Sequence, residues 1–373
     1  MLNRLLQERN LLPILTHENG RTVTLSSWQD RRCEMLTALQ TYSYGITPTD
    51  AVTTAAELLE EEPYAVAGKV CLQKIRLTLD SSPGIFSFPF WLAIPHKVSK
   101  APVFLHIAFS PDIPYKYLPL EEITDAGFAV VSVWNQEIVN DSHFGDFSDG
   151  LAAYFGTTQE RHPQEWGKIG MWAYGASRIL DYLLTRQDID ASHTSLIGHS
   201  RLGKTALWAA AQDTRFWCTI ANNSGYGGAA TSKHGTGERV RDFLRVGSWD
   251  WYCEQFKDYT DEKEDTKPYD QAFLLALIAP RYLCVGSAIE DHGADPQSEF
   301  LTSLWASQAW SVHGRSGLIT PNRLPVVGDC WQDGCIGYHL RAGRHYLSRK
   351  DWQVYIRFVQ SKLTQEAAQT EQI

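Results

Sequence analysis

Ser200 lies within Thr194-Ser-Leu-Ile-Gly198-His199-Ser200-Arg201-Leu202-Gly203-Lys204-Thr205-Ala206-Leu207-Trp208. A short apolar run enters a Gly-x-Ser turn and an Ala-rich helical pattern leaves it, the strand–nucleophile–helix layout of a serine hydrolase elbow. Such a turn lifts the serine out of the backbone at a helix N-terminus, where free N–H groups favour a developing negative charge. The usual elbow has glycine two residues after the serine; here Leu202 holds that place and the glycine is Gly203.

A serine nucleophile needs a base, and the base needs an acid to orient it. In the α/β-hydrolase order the acid and then the histidine follow the serine. The late histidines are His292, His313, His339 and His345. His345 falls in a predicted loop between the last strand and the last helix, whereas His339 falls inside the strand pattern and reads as a packed residue. His345 is therefore the expected base. The acid is expected just after the strand Tyr282 to Ala288, where Glu290, Asp291 and Asp295 compete. Asp291 is preferred and Glu290 is the reserve, while Asp295, just before Pro296, reads as a turn residue. Arg201 offers its backbone N–H and its guanidinium to an oxyanion, and a second donor is expected from residues Ala108 to Ser110. Lys204, one helical turn from Ser200, is expected to face the same cleft.

The elements that must position these groups follow from periodicity. Residues 1–60 read as mostly helical and polar, with one helix from Ser27 to Gln40, and form an expected N-terminal extension on a catalytic domain spanning 61–373. Val70 to Leu79 and Ile85 to Ile94, separated by Asp80-Ser-Ser-Pro-Gly84, predict an antiparallel hairpin. Short apolar runs at Val103 to Ala108 and Phe128 to Val133 are of the buried-strand kind. An amphipathic helix is predicted over Glu165 to Leu184. Strands at Phe216 to Asn222, Tyr282 to Ala288 and Gly337 to Arg341, then a closing helix from Asp351 to Leu363, complete a mostly parallel wound α/β sheet. Residues 257–267 read as an exposed charged loop, and the last ten residues as a frayed polar end.

Composition narrows the partners. The 373 residues are 43% hydrophobic and 21% charged, with net charge −9 and no basic stripe, so no nucleic-acid partner is expected. The seven cysteines are odd in number and lack CxxC pairs, which argues against zinc or a disulfide scaffold. Cys330 and Cys335 are near enough in sequence to bridge, but buried free thiols are the preferred reading. No metal or other cofactor is expected. The N-terminus lacks an apolar signal region and no run approaches a membrane span, so a cytoplasmic protein is expected, with no membrane partner.

Taken together, these residues resemble the glucuronoyl esterases (4-O-methyl-glucuronoyl methylesterases) of carbohydrate esterase family 15, in their bacterial branch. Matching blocks run from about Arg31 to Phe358. They include Tyr44-Gly45-x-x-Pro48, Trp166-Gly167-x-Ile169-x-x-Trp172, Gly198-His-Ser200-Arg-Leu-Gly203-Lys204, Ser224-Gly225-x-Gly227-Gly228-Ala229, Asp291-x-x-Ala294-Asp295-Pro296 and Gly337-Tyr-His-Leu-Arg341-x-Gly343-x-His345. The resemblance implies an α/β-hydrolase fold and cleavage of esters joining glucuronate to an alcohol. It implies Ser200 as nucleophile, His345 as base and Arg201 as oxyanion stabiliser. Lys204 and Glu238 would hold sugar hydroxyls, and Trp251 would line the sugar pocket. The substrate would be a small uronate ester or oligosaccharide; the alternatives are another carbohydrate esterase, such as a xylan-fragment deacetylase, or a non-catalytic carbohydrate-binding relative. Two departures stand out. Many members carry their acid after the strand that follows the elbow helix, where this chain has Asn222 and Asn223, so the acid is expected on the later loop. A tryptophan common in that loop is Gly293 here, which bears on the leaving-group side of the site.

Overall fold

Ten strands share one mixed sheet, and their apolar runs explain why most of it is buried. The structure, a computed structural model, describes residues 1–158 and 160–370. The strands are β1 (Thr53–Tyr64), β2 (Val70–Ser81), β3 (Gly84–Pro95), β4 (Ala101–Ala108), β5 (Ala129–Trp134), β6 (Ile189–His199), β7 (Cys218–Asn222), β8 (Tyr282–Ala288), β9 (Cys330–Trp331) and β10 (Ile336–Arg341). Their spatial order is β1-β2-β3-β5-β4-β6-β7-β8-β10-β9. The six from β5 to β10 in that order pair in parallel, while β1, β2, β3 and the short β9 add antiparallel edges. Parallel strands need both faces covered, and β7, β8 and β10 are buried at every position.

The covering helices include α1 (Leu2–Arg9), α2 (Trp28–Leu39), α3 (Lys168–Leu183), α4 (Arg201–Gln212), α5 (Pro296–Ala306) and α6 (Arg349–Thr370). Trp172 on α3 and Trp208 on α4 are wholly buried. Each such side chain contributes on the order of 2 kcal/mol or more through lost apolar surface. The N-terminal helices join the same continuous core through Leu2, Trp28, Met35 and Leu39.

The predicted hairpin is β2–β3, in register from Val70↔Pro95 to Ser81↔Gly84. The helical reading of the first sixty residues stops short, because Thr53–Tyr64 is a strand. Its sequence, rich in Ala, Glu and Leu, favours helix locally. The antiparallel ladder with β2 overrides that preference, and exposed side chains pair across it: Arg76 Nη1 donates to Glu57 at 2.8 Å and Lys74 Nζ to Glu60 at 3.0 Å. The charges also protect this sheet edge from further pairing.

Two further expectations change. Residues 257–267 are largely 3-10 turns rather than an open loop, and Glu264 and Lys267 are buried. Their charges are satisfied internally: Arg239 Nε donates to Glu264 at 2.9 Å, and Lys267 Nζ donates to Tyr226 Oη and Ser232 Oγ at 2.8 Å each. Burial, the largest influence, lowers the Lys267 ammonium to about 8. Cys335 is a buried free thiol, but Cys330 is free and exposed, on the two-residue edge strand β9. Of the last ten residues, 364–370 continue α6, and 371–373 lie outside the described residues. No described helix is long and apolar enough to cross a membrane.

Candidate functional site

The parallel strands all end on one side, which gathers Ala108, Trp134, His199, Asn222, Ala288 and Arg341 along one rim. A crevice outside the carboxyl ends of such strands is where this class of sheet binds ligands. Ser200 leaves β6 at that rim with φ 59° and ψ −130°. A non-glycine residue held there costs on the order of 1–3 kcal/mol, which the surrounding packing must offset. Ser200 N–H donates to Asn222 O at 2.9 Å, tying the turn to β7.

The displaced glycine has a steric cause. A Cβ on Gly198 would lie 2.0 Å from Leu202 O, so the entry to the turn must be glycine. A Cβ on Gly203 would sit 3.1 Å from both Gly198 O and Ser224 Cβ. Leu202 instead points into the core and is fully buried. The close approach of α4 to its neighbours therefore falls at 203, one residue later than in the usual elbow.

Beyond the turn, the N–H groups of Gly203 and Lys204 return to Ser200 O, at 2.9 and 3.1 Å. The Arg201 N–H donates to no group among the described residues and is left at the helix start. Of the expected second donors, Phe109 N–H donates to Tyr115 Oη at 3.2 Å, while Ser110 lines the cavity.

His345 stands on the loop after β10, with Nδ1 2.6 Å from Asp291 Oδ2. Asp291, on the loop after β8, is buried and also accepts from Asn223 Nδ2 at 2.7 Å and from Ala294 N–H at 3.4 Å. Burial works to raise its carboxyl, but the His345 hydrogen bond and charge, with the Asn223 bond, outweigh this and hold it below its ordinary value. Glu290 points away to solvent, 3.8 Å from Arg344. Asp295 caps α5 by accepting from Ser298 N–H at 3.0 Å. His339 is buried inside β10 and bonded to Asp351 at 2.7 Å, a carboxylate that also accepts from Arg341 Nε at 2.8 Å.

Ser200 and His345 share a cavity of about 580 Å³ with His199, Arg201, Asp141 and Tyr117. No hydrogen bond joins Ser200 Oγ to His345 among the described residues; such bonds are often loose before substrate binds. A second cavity of about 410 Å³ is lined by Glu238, Trp251, Phe243, His292 and Gly293. The two adjoin where the Arg201 guanidinium lies 5.1 Å from the Trp251 ring centre. Gly293 thus lines the Glu238–Trp251 cavity and not the one that holds Ser200.

Lys204 is neither solvated nor free. It is buried, and its ammonium donates to Ser224 O at 2.7 Å, Tyr226 O at 2.6 Å and Glu238 Oε2 at 3.4 Å. Burial lowers its pKa, with Glu238 opposing. Of its three acceptors, Glu238 lines the second cavity. Sequence reasoning missed Asp141 and His199. Asp141, which accepts from Arg201 Nε at 2.7 Å, lies sixty residues before it, and only the fold brings them together. His199 was visible beside Ser200 but carried no spacing signal of its own. Among the described residues no three His, Cys, Asp or Glu side chains cluster as a metal site.

Comparison with known proteins follows the same lines. Residues 78–314 match the family model described as "Glucuronyl esterase, fungi". A carbohydrate esterase, MZ0003, from an unknown prokaryotic organism is 41% identical over 252 residues, covering 66% of this chain and 56% of that protein. A 4-O-methyl-glucuronoyl methylesterase of Podospora anserina is 27% identical over 286 residues, covering 73% of this chain and 54% of its own. The chain thus spans about half the length of these curated relatives. The solved glucuronoyl esterase from Solibacter usitatus superposes with a TM-score of 0.86 at 32% identity, over 94% of this chain and 97% of that one.

Proposed function

Because the chain belongs to the glucuronyl esterase family, we propose that it hydrolyses esters of glucuronic acid, including the 4-O-methyl sugar, through an acyl-enzyme on Ser200. The observation that carries this reading is the 2.6 Å contact between His345 Nδ1 and Asp291 Oδ2, beside a serine held at φ 59° on a helix start.

Ser200 Oγ attacks the ester carbonyl carbon while His345 Nε2 takes the hydroxyl proton. Asp291 holds Nδ1–H and stabilises the imidazolium. The tetrahedral oxyanion receives the Arg201 N–H and the Arg201 guanidinium, whose charge is worth several kcal/mol, to order of magnitude, in a water-poor site. Collapse breaks the ester C–O bond, and the departing alcohol takes the proton from His345. Water then gives a proton to His345 and attacks the acyl carbon; the second collapse breaks the Ser200 Oγ–carbon bond, His345 returns its proton to Oγ, and glucuronate leaves. Glu238, steadied by Lys204, binds sugar hydroxyls, and Trp251 offers a flat apolar face to the ring. These groups convert binding into orientation.

A comparison of benzyl glucuronate with an acetylated xylo-oligosaccharide tests the substrate class. Higher kcat/KM on the glucuronate ester, unchanged by EDTA, is expected. Preference for the acetyl ester would point to a deacetylase on the same fold, and inhibition by EDTA would count against the mechanism.

A further inference from the structure

Arg201 is locked before any substrate arrives. Its Nε donates to Asp141 Oδ2 at 2.7 Å, and its guanidinium carbon lies 4.9 Å from the Phe109 ring centre and 5.1 Å from that of Trp251. The Asp141 side chain is only 4% exposed while that of Arg201 is 29% exposed. A guanidinium offers five donors in a fixed fork. With Nε engaged and two aromatic rings packed close by, the terminal nitrogens are left without a protein acceptor among the described residues, in the cavity that Ser200 lines.

Asp141 is itself held from several directions. Asn135 Nδ2, at the strand end after β5, donates to Asp141 Oδ2 at 3.2 Å. The residues on either side of Asp141 are clamped by one buried ammonium: Lys168 Nζ donates to Asn140 Oδ1 at 2.9 Å and to Ser142 O at 2.5 Å. That lysine pairs with Asp250 at 3.0 Å, both wholly buried, and Asp250 immediately precedes Trp251. One buried ion pair therefore anchors both the carboxylate that grips Arg201 and the segment carrying the ring beneath it. A flexible arginine on the first turn of a helix would otherwise sample many rotamers, and fixing it beforehand removes that cost from the reaction step.

We infer that Asp141 is the positioning residue for Arg201: it aims the guanidinium at the oxyanion of the ester reaction without touching substrate. The inference rests on the proposed serine mechanism. It predicts that Asp141 matters through Arg201 and chiefly in kcat.

The test is a double-mutant cycle on the full-length protein with benzyl glucuronate, read as separate kcat and KM, with thermal melting as the folding control. Asp141→Ala should lower kcat by about 10- to 100-fold with KM within about threefold. Asp141→Asn keeps an acceptor without the charge, and should recover all but about three- to tenfold. In an Arg201→Ala background, Asp141→Ala should change kcat by less than about twofold, because residues acting as a unit are not additive. Equal losses in both backgrounds, or wild-type kcat in folded Asp141→Ala, overturn the inference. If Asp141→Ala does not fold, Asp141→Asn carries the same cycle, and an equal loss with and without Arg201 overturns it. Ser200→Ala in parallel separates the two claims. Retained turnover there overturns the serine mechanism and this inference together. Loss there with additive Asp141 and Arg201 effects overturns this inference alone.

Discussion

His199 and His345 pack with ring centres 4.5 Å apart and planes tilted 39°. His199 is buried, and its Nδ1–H donates to Asn222 Oδ1 at 2.7 Å, while Asn222 Nδ2 donates to Tyr355 Oη at 2.8 Å. Burial, helped by the neighbouring His345, pushes the His199 imidazole down to about 3. A buried, neutral ring thus packs against the His345 imidazole. His199→Ala should remove that support and lower kcat by about tenfold or more, whereas His199→Phe should stay within about fivefold of wild type. Equal kcat in the two variants would show that ring support is not the role.

The acid assignment separates three neighbours. Asp291→Asn should lower kcat by about 10⁴-fold, since an amide fixes the wrong tautomer and cannot stabilise the imidazolium. Asn223→Ala removes one donor to Asp291 and should cost far less. Glu290→Gln, at an exposed carboxylate, should leave kcat within about twofold. An active Asp291→Asn/Glu290→Gln double variant would refute the assignment.

Lys204 and Glu238 should act on binding of the sugar. Lys204→Ala removes the donor that three acceptors share and frees Glu238 to move. It should reduce kcat/KM for methyl glucuronate by about 10- to 100-fold. An unchanged kcat/KM in a folded variant would remove both residues from the sugar site.

Glu299 on α5 is fully buried, accepting from Ser287 Oγ at 2.6 Å, Gly225 N–H at 2.9 Å and Ser224 Oγ at 3.2 Å. Burial, opposed by those bonds, raises its carboxyl from 4.5 to about 7. The native state then holds a proton that the unfolded state releases near 4.5. The stability linked to this group is fully present below that value and is lost as pH rises through about 7. Glu299→Gln should flatten this fall relative to wild type in urea melts between pH 4.5 and 7. Parallel pH profiles for the two proteins would contradict the linkage.

The strands that carry the proposed site were readable because β6 closes with the apolar pair Leu196-Ile197 before the Gly-x-Ser turn, and β8 opens on the apolar run Tyr282-Leu-Cys-Val285 and ends at a polar turn. His345 and Asp291 could be found because chain order and loop position restrict them once Ser200 is chosen. β1 was hidden because Glu57, Glu60 and their neighbours have helical propensity, and only the ladder with β2 makes them a strand. Helical spacing placed Lys204 toward the cleft of Ser200, but its burial was not legible because its three acceptors arrive from residues 224–238, farther along the chain. The burial of Glu264 and Lys267 was hidden for the same reason. Asp141 had no local signal, since its meaning lies in a contact with Arg201 sixty residues away.

The most direct test of the central claim is the turnover of benzyl glucuronate by Ser200→Ala. The variant loses one oxygen and keeps Gly198 and Gly203, so it should fold. Its kcat should fall by several orders of magnitude, leaving about 10³-fold over water from the oxyanion donors and binding. Near wild-type turnover by folded Ser200→Ala protein would contradict a serine esterase outright.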